Sequence, residues 1–272
     1  MKIPAHKLWQ AILTAFLLVS TSQASSFKPP DISQEEVRYY KSYYARKEDQ
    51  PDLAISGSRL MHNESSRSFS EWAEWQTGAQ GKILIITRDA LSYGNTRSLN
   101  RFFIQVTAKG MVMLKFERRW NAPDGTFLRI WDFDFTDSSV KYPSDTFHHM
   151  LLPWLARSID YKSPAPVYFN VWLDTTMVYP MYFQVEGTDK VAVAGGTFDC
   201  YKVVAKLDKA KLDDVISKLL GRTMPRYTYW MEKGGTHGLV KLQWPIFTGA
   251  YGGEERFQTQ ELVKIGKRIE QP

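Results

Sequence analysis

Cysteine is almost missing from this chain: Cys200 is the only one. A single thiol cannot close an internal disulfide, and it cannot build a structural zinc site of the multi-cysteine kind. It lies in Phe198-Asp199-Cys200-Tyr201-Lys202-Val203-Val204, a strand-like alternation in which a free Cys behaves as a small buried hydrophobe. Histidine is also scarce. Adjacent His148 and His149 are expected to point to different sides of the element that carries them, so they chelate poorly as a pair, and no metal is expected. The sequence holds no nucleophile-elbow pattern, no His-Glu-x-x-His and no phosphate-cradling loop ending in Gly-Lys-Ser or Gly-Lys-Thr. The pairs Gly195-Gly196, Gly234-Gly235 and Gly252-Gly253 read as backbone punctuation. No catalytic residue and no cofactor is expected.

Long apolar runs are lacking as well, apart from one near the start. Lys2 and Lys7 precede an apolar stretch from Trp9 to Val19, and Ser22-Gln23-Ala24 then puts small residues where a signal peptidase cuts. The stretch falls short of the roughly 20 residues that a membrane-spanning helix needs. Residues 1–24 are therefore read as a signal peptide, and the protein as a soluble exported one, periplasmic in the simplest case, with no transmembrane segment after cleavage. The formal charge of +6 includes the two leader lysines. So small an excess does not point to nucleic acid, and export argues against it.

What the chain does contain is aromatic residues: 9 Trp, 14 Tyr and 15 Phe. After the leader, Ser33-Gln34-Glu35-Glu36 has capping-box spacing, with Val37, Tyr40 and Tyr44 following at helical intervals. Residues 25–81 are expected to be helical or irregular, with a loop from Lys47 to Ser70, a short strand at Leu53 to Ser56, and a short helix or strand at Phe69 to Gln76. From Lys82 the period changes to two. Ile83 to Ile86 and Phe102 to Thr107 read as strands, and a turn at Ala108-Lys109-Gly110 leads into Met111 to Trp120. There Val112, Leu114, Phe116 and Trp120 are expected on one face and Lys115, Glu117 and Arg119 on the other. Asn121 to Gly125 turns the chain into Thr126 to Phe135, with Phe127, Trp131, Phe133 and Phe135 sharing a side. Such alternation across successive turns predicts an antiparallel meander. Asp132, Asp134 and Asp137 form an acidic cluster that reads as a solvated strand face partnered by Lys115 and Arg119.

Ser144 to Ser158 is expected to be a helix disturbed by Pro153, and Lys209 to Leu220 an amphipathic helix. Val167 to Leu173, Val178 to Val185, a hairpin of Val191 to Ala194 with Thr197 to Leu207, Tyr227 to Glu232, Leu239 to Trp244 and Arg256 to Ile265 are expected strands. The fold class is mainly β (α+β): an antiparallel curved sheet or open half-barrel with a few inserted helices, in one domain over 82–272.

Several of these strands are apolar on both faces. In an antiparallel sheet this means that both faces are covered or that one lines a hollow. The expected apolar lining is Phe169, Val171, Trp172, Met181, Phe183, Tyr229 and Met231. Which alternate set faces inward stays open, because a one-residue slip of register exchanges the faces.

Val191 to Val203, with its Gly195-Gly196-Thr197-Phe198 turn, resembles a hairpin motif of an uncharacterised periplasmic half-barrel family. The Tyr229-Trp230-Met231 strand and the Leu239-Val240-Lys241-Leu242 return strand are similar to it too, so the resemblance covers roughly Val167 to Trp244. That family in turn resembles the lipoprotein-carrier class of open β-barrels, whose concave apolar sheet is capped by helices. The resemblance implies binding of a lipid or acyl group in cell-envelope traffic and no catalytic residues. The chain is thus expected to be a non-enzymatic carrier of a lipid or other apolar ligand. The alternative is a structural or adaptor protein that binds another envelope protein through its sheet.

Overall fold

The computed structural model describes residues 27–33, 36–46, 67–78, 81–91, 96–108, 110–137, 142–143, 145–172, 178–212, 226–246 and 256–267. The expected signal peptide and the strand at Leu53 to Ser56 lie outside them. The described strands are β1 (Glu36–Arg46), β2 (Arg67–Gly78), β3 (Gly81–Leu91), β4 (Arg97–Thr107), β5 (Gly110–Asn121), β6 (Phe127–Asp134), β7 (Thr146–His148), β8 (Val167–Trp172), β9 (Val178–Val193), β10 (Gly196–Leu207), β11 (Tyr227–Glu232), β12 (Leu239–Ile246) and β13 (Arg256–Lys267). Among the described residues one short α-helix, α1 (Leu152–Ala156), follows a 3-10 turn at His149–Leu151.

All 13 strands join one sheet in the order β6-β5-β4-β3-β2-β1-β13-β12-β11-β10-β9-β8-β7. The first and last strands pair in its middle, from Glu36 opposite Lys267 to Arg46 opposite Arg256. Every pairing is antiparallel except the short parallel one between β7 and β8.

This order forces curvature. Strands β6 and β7 are consecutive in sequence yet occupy opposite edges of the sheet. Flat, so many strands would hold their edges roughly 55–60 Å apart. The stretch from Asp134 to Thr146, fully extended, reaches only about 40 Å. The sheet therefore curls until its edges approach, and side chains rather than a hydrogen-bonded ladder fill the seam among the described residues. The Trp172 ring lies 6.0 Å from Trp131, 4.5 Å from Phe133, 5.3 Å from Phe135 and 6.3 Å from Phe116. Beside it the backbone N–H of His148 donates to Met113 Sδ at 3.3 Å. The result is an open sheet rolled nearly into a barrel around a single large apolar cluster, with α1 and Phe27 inside it.

Several sequence expectations change. Residues 36–46 form a strand where a helix was expected. Ser33 O accepts from Glu36 N–H at 3.1 Å, and Glu36 opens β1 rather than a helix. Arg38, Tyr40 and Ser42 all turn inward on β1; Tyr-rich sequence suits a strand flanked on both sides, and pairing with β2 and β13 outweighs a local cap. Phe69 to Gln76, left open between helix and strand, lies within β2. Residues 144–158 supply a strand, a 3-10 turn and only a five-residue helix. Pro153 starts that helix rather than disturbing it, because its missing N–H falls in the first turn, where no intrahelical bond is lost. Lys209–Lys211 is a 3-10 turn followed by an extended Leu212, and residues 213–220 of the helix expected there lie outside the described residues. Val178 to Val185 and Val191 to Ala194, expected as separate strands, fuse into the 16-residue β9, which bulges at Glu186 between the paired Val185 and Gly187.

Bulges also correct two predicted faces. Phe103 opposes Lys115 and Ile104 opposes Met113, so Leu114 is the extra residue of a β-bulge. The bulge switches the inward set on β5 from Met111 and Met113 to Phe116, and leaves Val112 37% exposed. On β6 the shift at Leu128 separates Phe127, 57% exposed, from the inward Trp131 and Phe133.

Trp172 fills the seam from one edge and touches rings carried by the other. Trp172→Ala is expected to lower stability by about 3–5 kcal/mol, the usual cost of emptying a large aromatic site. Urea unfolding monitored by far-UV circular dichroism measures it, and a loss near zero would mean that the seam does not hold the edges.

Candidate functional site

All seven residues expected to line a hollow face inward and lie in the main cluster: Phe169, Val171, Trp172, Met181, Phe183, Tyr229 and Met231 are each at most 2% exposed. The structure brings them together, but it fills the space between them. Phe27 packs its ring 5.9 Å from Phe169 and 6.3 Å from Phe183, and Phe169 stacks on Phe183 at 4.5 Å. Of the seven, only Tyr229 borders the cavity that Arg88 and Arg118 also line.

That cavity, about 630 Å³, opens at one end of the rolled sheet, where β1, β3, β5 and β12 finish and β2, β4, β11 and β13 begin. Its wall along β3, β4 and β5 is formed by Arg88, Ala90, Ser98, Asn100, Arg118 and Trp120. Ser42, Gln258 and Gln260 continue it on β1 and β13. The facing wall is apolar and aromatic, with Tyr227, Tyr229, Leu242 and Trp244, and His149, Met150 and Pro153 close the inner side. None of the described lining residues is Asp or Glu.

The polar wall is part of a ladder. Arg38 lies opposite Glu71, Glu71 opposite Arg88, Arg88 opposite Asn100, Asn100 opposite Arg118, and Arg118 opposite Trp131. Directly opposed residues share a face, so one row of polar side chains crosses β1 to β5 on the inside. Arg88 Nε donates to Glu71 Oε1 at 2.5 Å, and its guanidinium lies 4.5 Å from the Phe69 ring. Arg118 Nε donates to Asn100 Oδ1 at 2.6 Å, a terminal nitrogen reaches Met150 Sδ at 3.4 Å, and the guanidinium sits over Phe116, Trp120 and Trp131. Arg38 is held by Glu36 at 2.6 Å and Glu232 at 3.0 Å, in room left by Gly238. Buried Arg157 stacks 3.9 Å over Trp154, and burial lowers its pKa.

The remaining polar lining holds orientation. Gln258 Nε2 donates to Ser42 Oγ at 3.0 Å. Gln260, 8% exposed, has a buried Oε1 that meets no donor. Burial pushes Tyr227 up to about 12 and raises Tyr229 well above the ordinary tyrosine value, so both remain neutral hydroxyls.

Other sequence candidates fall elsewhere. Asp132 pairs with Lys115 at 2.9 Å, in the way a solvated strand face does, and Asp134 Oδ1 accepts from Thr136 N–H at 2.7 Å. The rings of His148 and His149 stack at 4.4 Å rather than pointing apart, because the chain turns from strand to 3-10 turn between them. His148 Nδ1 accepts from Met150 N–H at 3.1 Å. Among the described residues no three His, Cys, Asp or Glu converge on a metal position, and no helix is long and apolar enough to cross a membrane.

The cavity's polar residues escaped notice in the sequence, although a signal was there. Arg88 continues the parity of Leu84 and Ile86, Asn100 that of Phe102 and Ile104, and Arg118 that of Phe116. A polar residue that keeps step with an apolar stripe marks an inward polar position.

No protein-family model matches the chain, and no curated protein matches it. Among solved structures, a β-barrel-like protein of a domain of unknown function from Brucella abortus aligns over 88% of this chain and 100% of its own, with 11% identity and a TM-score of 0.43. A candidate lipoprotein from Parabacteroides distasonis aligns over 90% of this chain and 100% of its own, with 12% identity and a TM-score of 0.35.

Arg88→Ala leaves Glu71 buried without its partner and is expected to cost about 3–5 kcal/mol, read from the shift of the denaturant midpoint. Cys200 is fully buried, and burial, with Glu232 and Asp199 adding to it, pushes its thiol up to about 12. The thiol therefore stays protonated at pH 8 and should label far more slowly in folded than in unfolded protein, as maleimide kinetics would register.

Proposed function

We propose that this protein is a non-catalytic binding protein for a lipid or other amphipathic molecule, exported to the cell envelope and acting there as a carrier. The observation that supports this reading most directly is the cavity. Its volume of about 630 Å³ falls within the roughly 300–1,000 Å³ typical of small-molecule sites. Aromatic and aliphatic groups form one wall and fixed polar groups the other, as an acyl body with a polar end requires. Each buried CH₂ of such a ligand contributes about 0.8 kcal/mol, so the aromatic wall provides affinity and the polar wall orientation. This reading puts the ligand at the open end of the roll, where Tyr229 is the one residue of the expected lining that borders the cavity.

The adaptor reading draws on a different feature. Edge strand β6 exposes Leu128 at 54% and Ile130 at 47%, an apolar outer surface of the kind that protein partners cover.

A fluorescent fatty-acid analogue separates the two. It should bind the purified chain and be displaced by unlabelled lipid. Ala90→Phe, which fills the cavity from β3, should weaken that binding at least about tenfold, equivalent to 1.4 kcal/mol, with an unchanged circular dichroism spectrum. Ile130→Lys should leave it unaltered. Failure of the native protein to bind any acyl probe would put the adaptor reading ahead.

A further inference from the structure

We infer that the cavity selects amphiphiles whose polar end is an anion, a carboxylate or phosphate, and seats that end against Arg118 and Arg88; this rests on the cavity being the ligand site. The first observation is the charge of the lining. Two guanidiniums border the cavity and none of the described lining side chains is a carboxylate. Glu71, which holds Arg88, lies on the neighbouring strand and does not line the space. Both arginines come from one wall, in the same cross-strand row with Asn100 between them. Their aromatic and strand neighbours limit the positions they can take, so much of the side-chain ordering is complete before a ligand arrives. Planar guanidiniums bind carboxylate and phosphate oxygens with two parallel hydrogen bonds, and these charge-assisted bonds strengthen where water is excluded.

The second observation is independent of charge. The Oε1 of Gln260 is buried at the cavity wall without a donor, and a buried polar atom left unpaired is costly. A hydroxyl carried near the anion, as on a glycerol or a phosphate monoester, would supply that donor. Gln260 and Gln258 lie on β13, separated from the arginines by β1 and β2, so the polar end meets donors on one side and an acceptor on the other. The acyl body then lies along Tyr227, Leu242 and Trp244.

The test uses the full chain and four oleoyl compounds below their micelle concentrations, with binding followed by displacement of a neutral fluorescent probe. Oleate and oleoyl lysophosphatidate are the anionic arms, monooleoylglycerol the neutral one and oleylamine the cationic one. The anions are expected to bind at least about tenfold more tightly than monooleoylglycerol, a preference worth 1.4 kcal/mol, and oleylamine most weakly. The stronger of the two anions identifies the headgroup as a carboxylate or a phosphate. Arg118→Gln should remove most of the preference by weakening the anions far more than monooleoylglycerol. Gln258→Glu, nearly isosteric and separated from the arginines by β1 and β2, should weaken the anions more than monooleoylglycerol, and it tests the charge rule even if the Arg118 variant folds poorly. Equal binding of anionic and neutral compounds, or a preference untouched by both variants, overturns anion selection and leaves the carrier reading standing. Binding of none of the four overturns both.

Discussion

Trp172 is where the two edges of the sheet meet. A sheet of 13 strands has far more curvature available to it than one packing geometry requires, and twist alone does not choose how tightly it rolls. Here the choice is made by side chains: the Trp172 ring, from β8, inserts among Trp131 and Phe133 from β6, Phe116 from β5 and Phe135 just beyond β6. Aromatic residues suit this position because they bury a large area and pack edge to face without needing a fixed register. A hydrogen-bonded seam would have required matched strand length and stagger at both edges. The three residues of β7 could not supply that. The roll, and with it the space it encloses, follows from this contact.

The interior is then divided. Toward one end, Phe27, Phe147, Phe169 and Phe183 pack solidly with α1. Toward the other, inward positions change from Leu84 and Ile86 to Arg88, and from Ile104 and Phe102 to Asn100, along the same strands. Charged groups there cost desolvation, which fixed partners offset: Glu71 for Arg88, and Glu36 with Glu232 for Arg38. An arrangement of this kind is less favourable for stability than an apolar filling of similar volume. Its presence at the open end, beside aromatic groups that are only partly covered, is the ground on which the binding role is proposed.

How far each feature could be read from the chain depended on its range. The meander of β4, β5 and β6 was legible because alternation and turn residues are local signals, and Asp132 beside Lys115 followed from them. The inward parity of Phe169, Val171, Met181 and Phe183 could be named as one of two sets. Whether the space before them is filled or empty could not be read, because a residue facing inward looks the same in sequence either way; Phe27, more than a hundred residues away, packs against Phe169 and Phe183. The faces of Met111 to Leu114 and of Phe127 were misread for a related reason. A bulge adds one residue to one strand, and its position depends on the partner strand.

The sequence by itself determined that this is a β-rich, aromatic chain with antiparallel hairpins from Lys82 onward, since period-two patterning and turn chemistry are properties of neighbouring residues. Tertiary structure alone decided that residues 36–46 are a strand and not a helix, because β1 gains two strand partners that its own sequence cannot reveal. It also decided that Arg88, Asn100 and Arg118 stand side by side. Those residues are 12 and 18 positions apart in the chain, and only the register of β3 on β4 and of β4 on β5 sets them in one row.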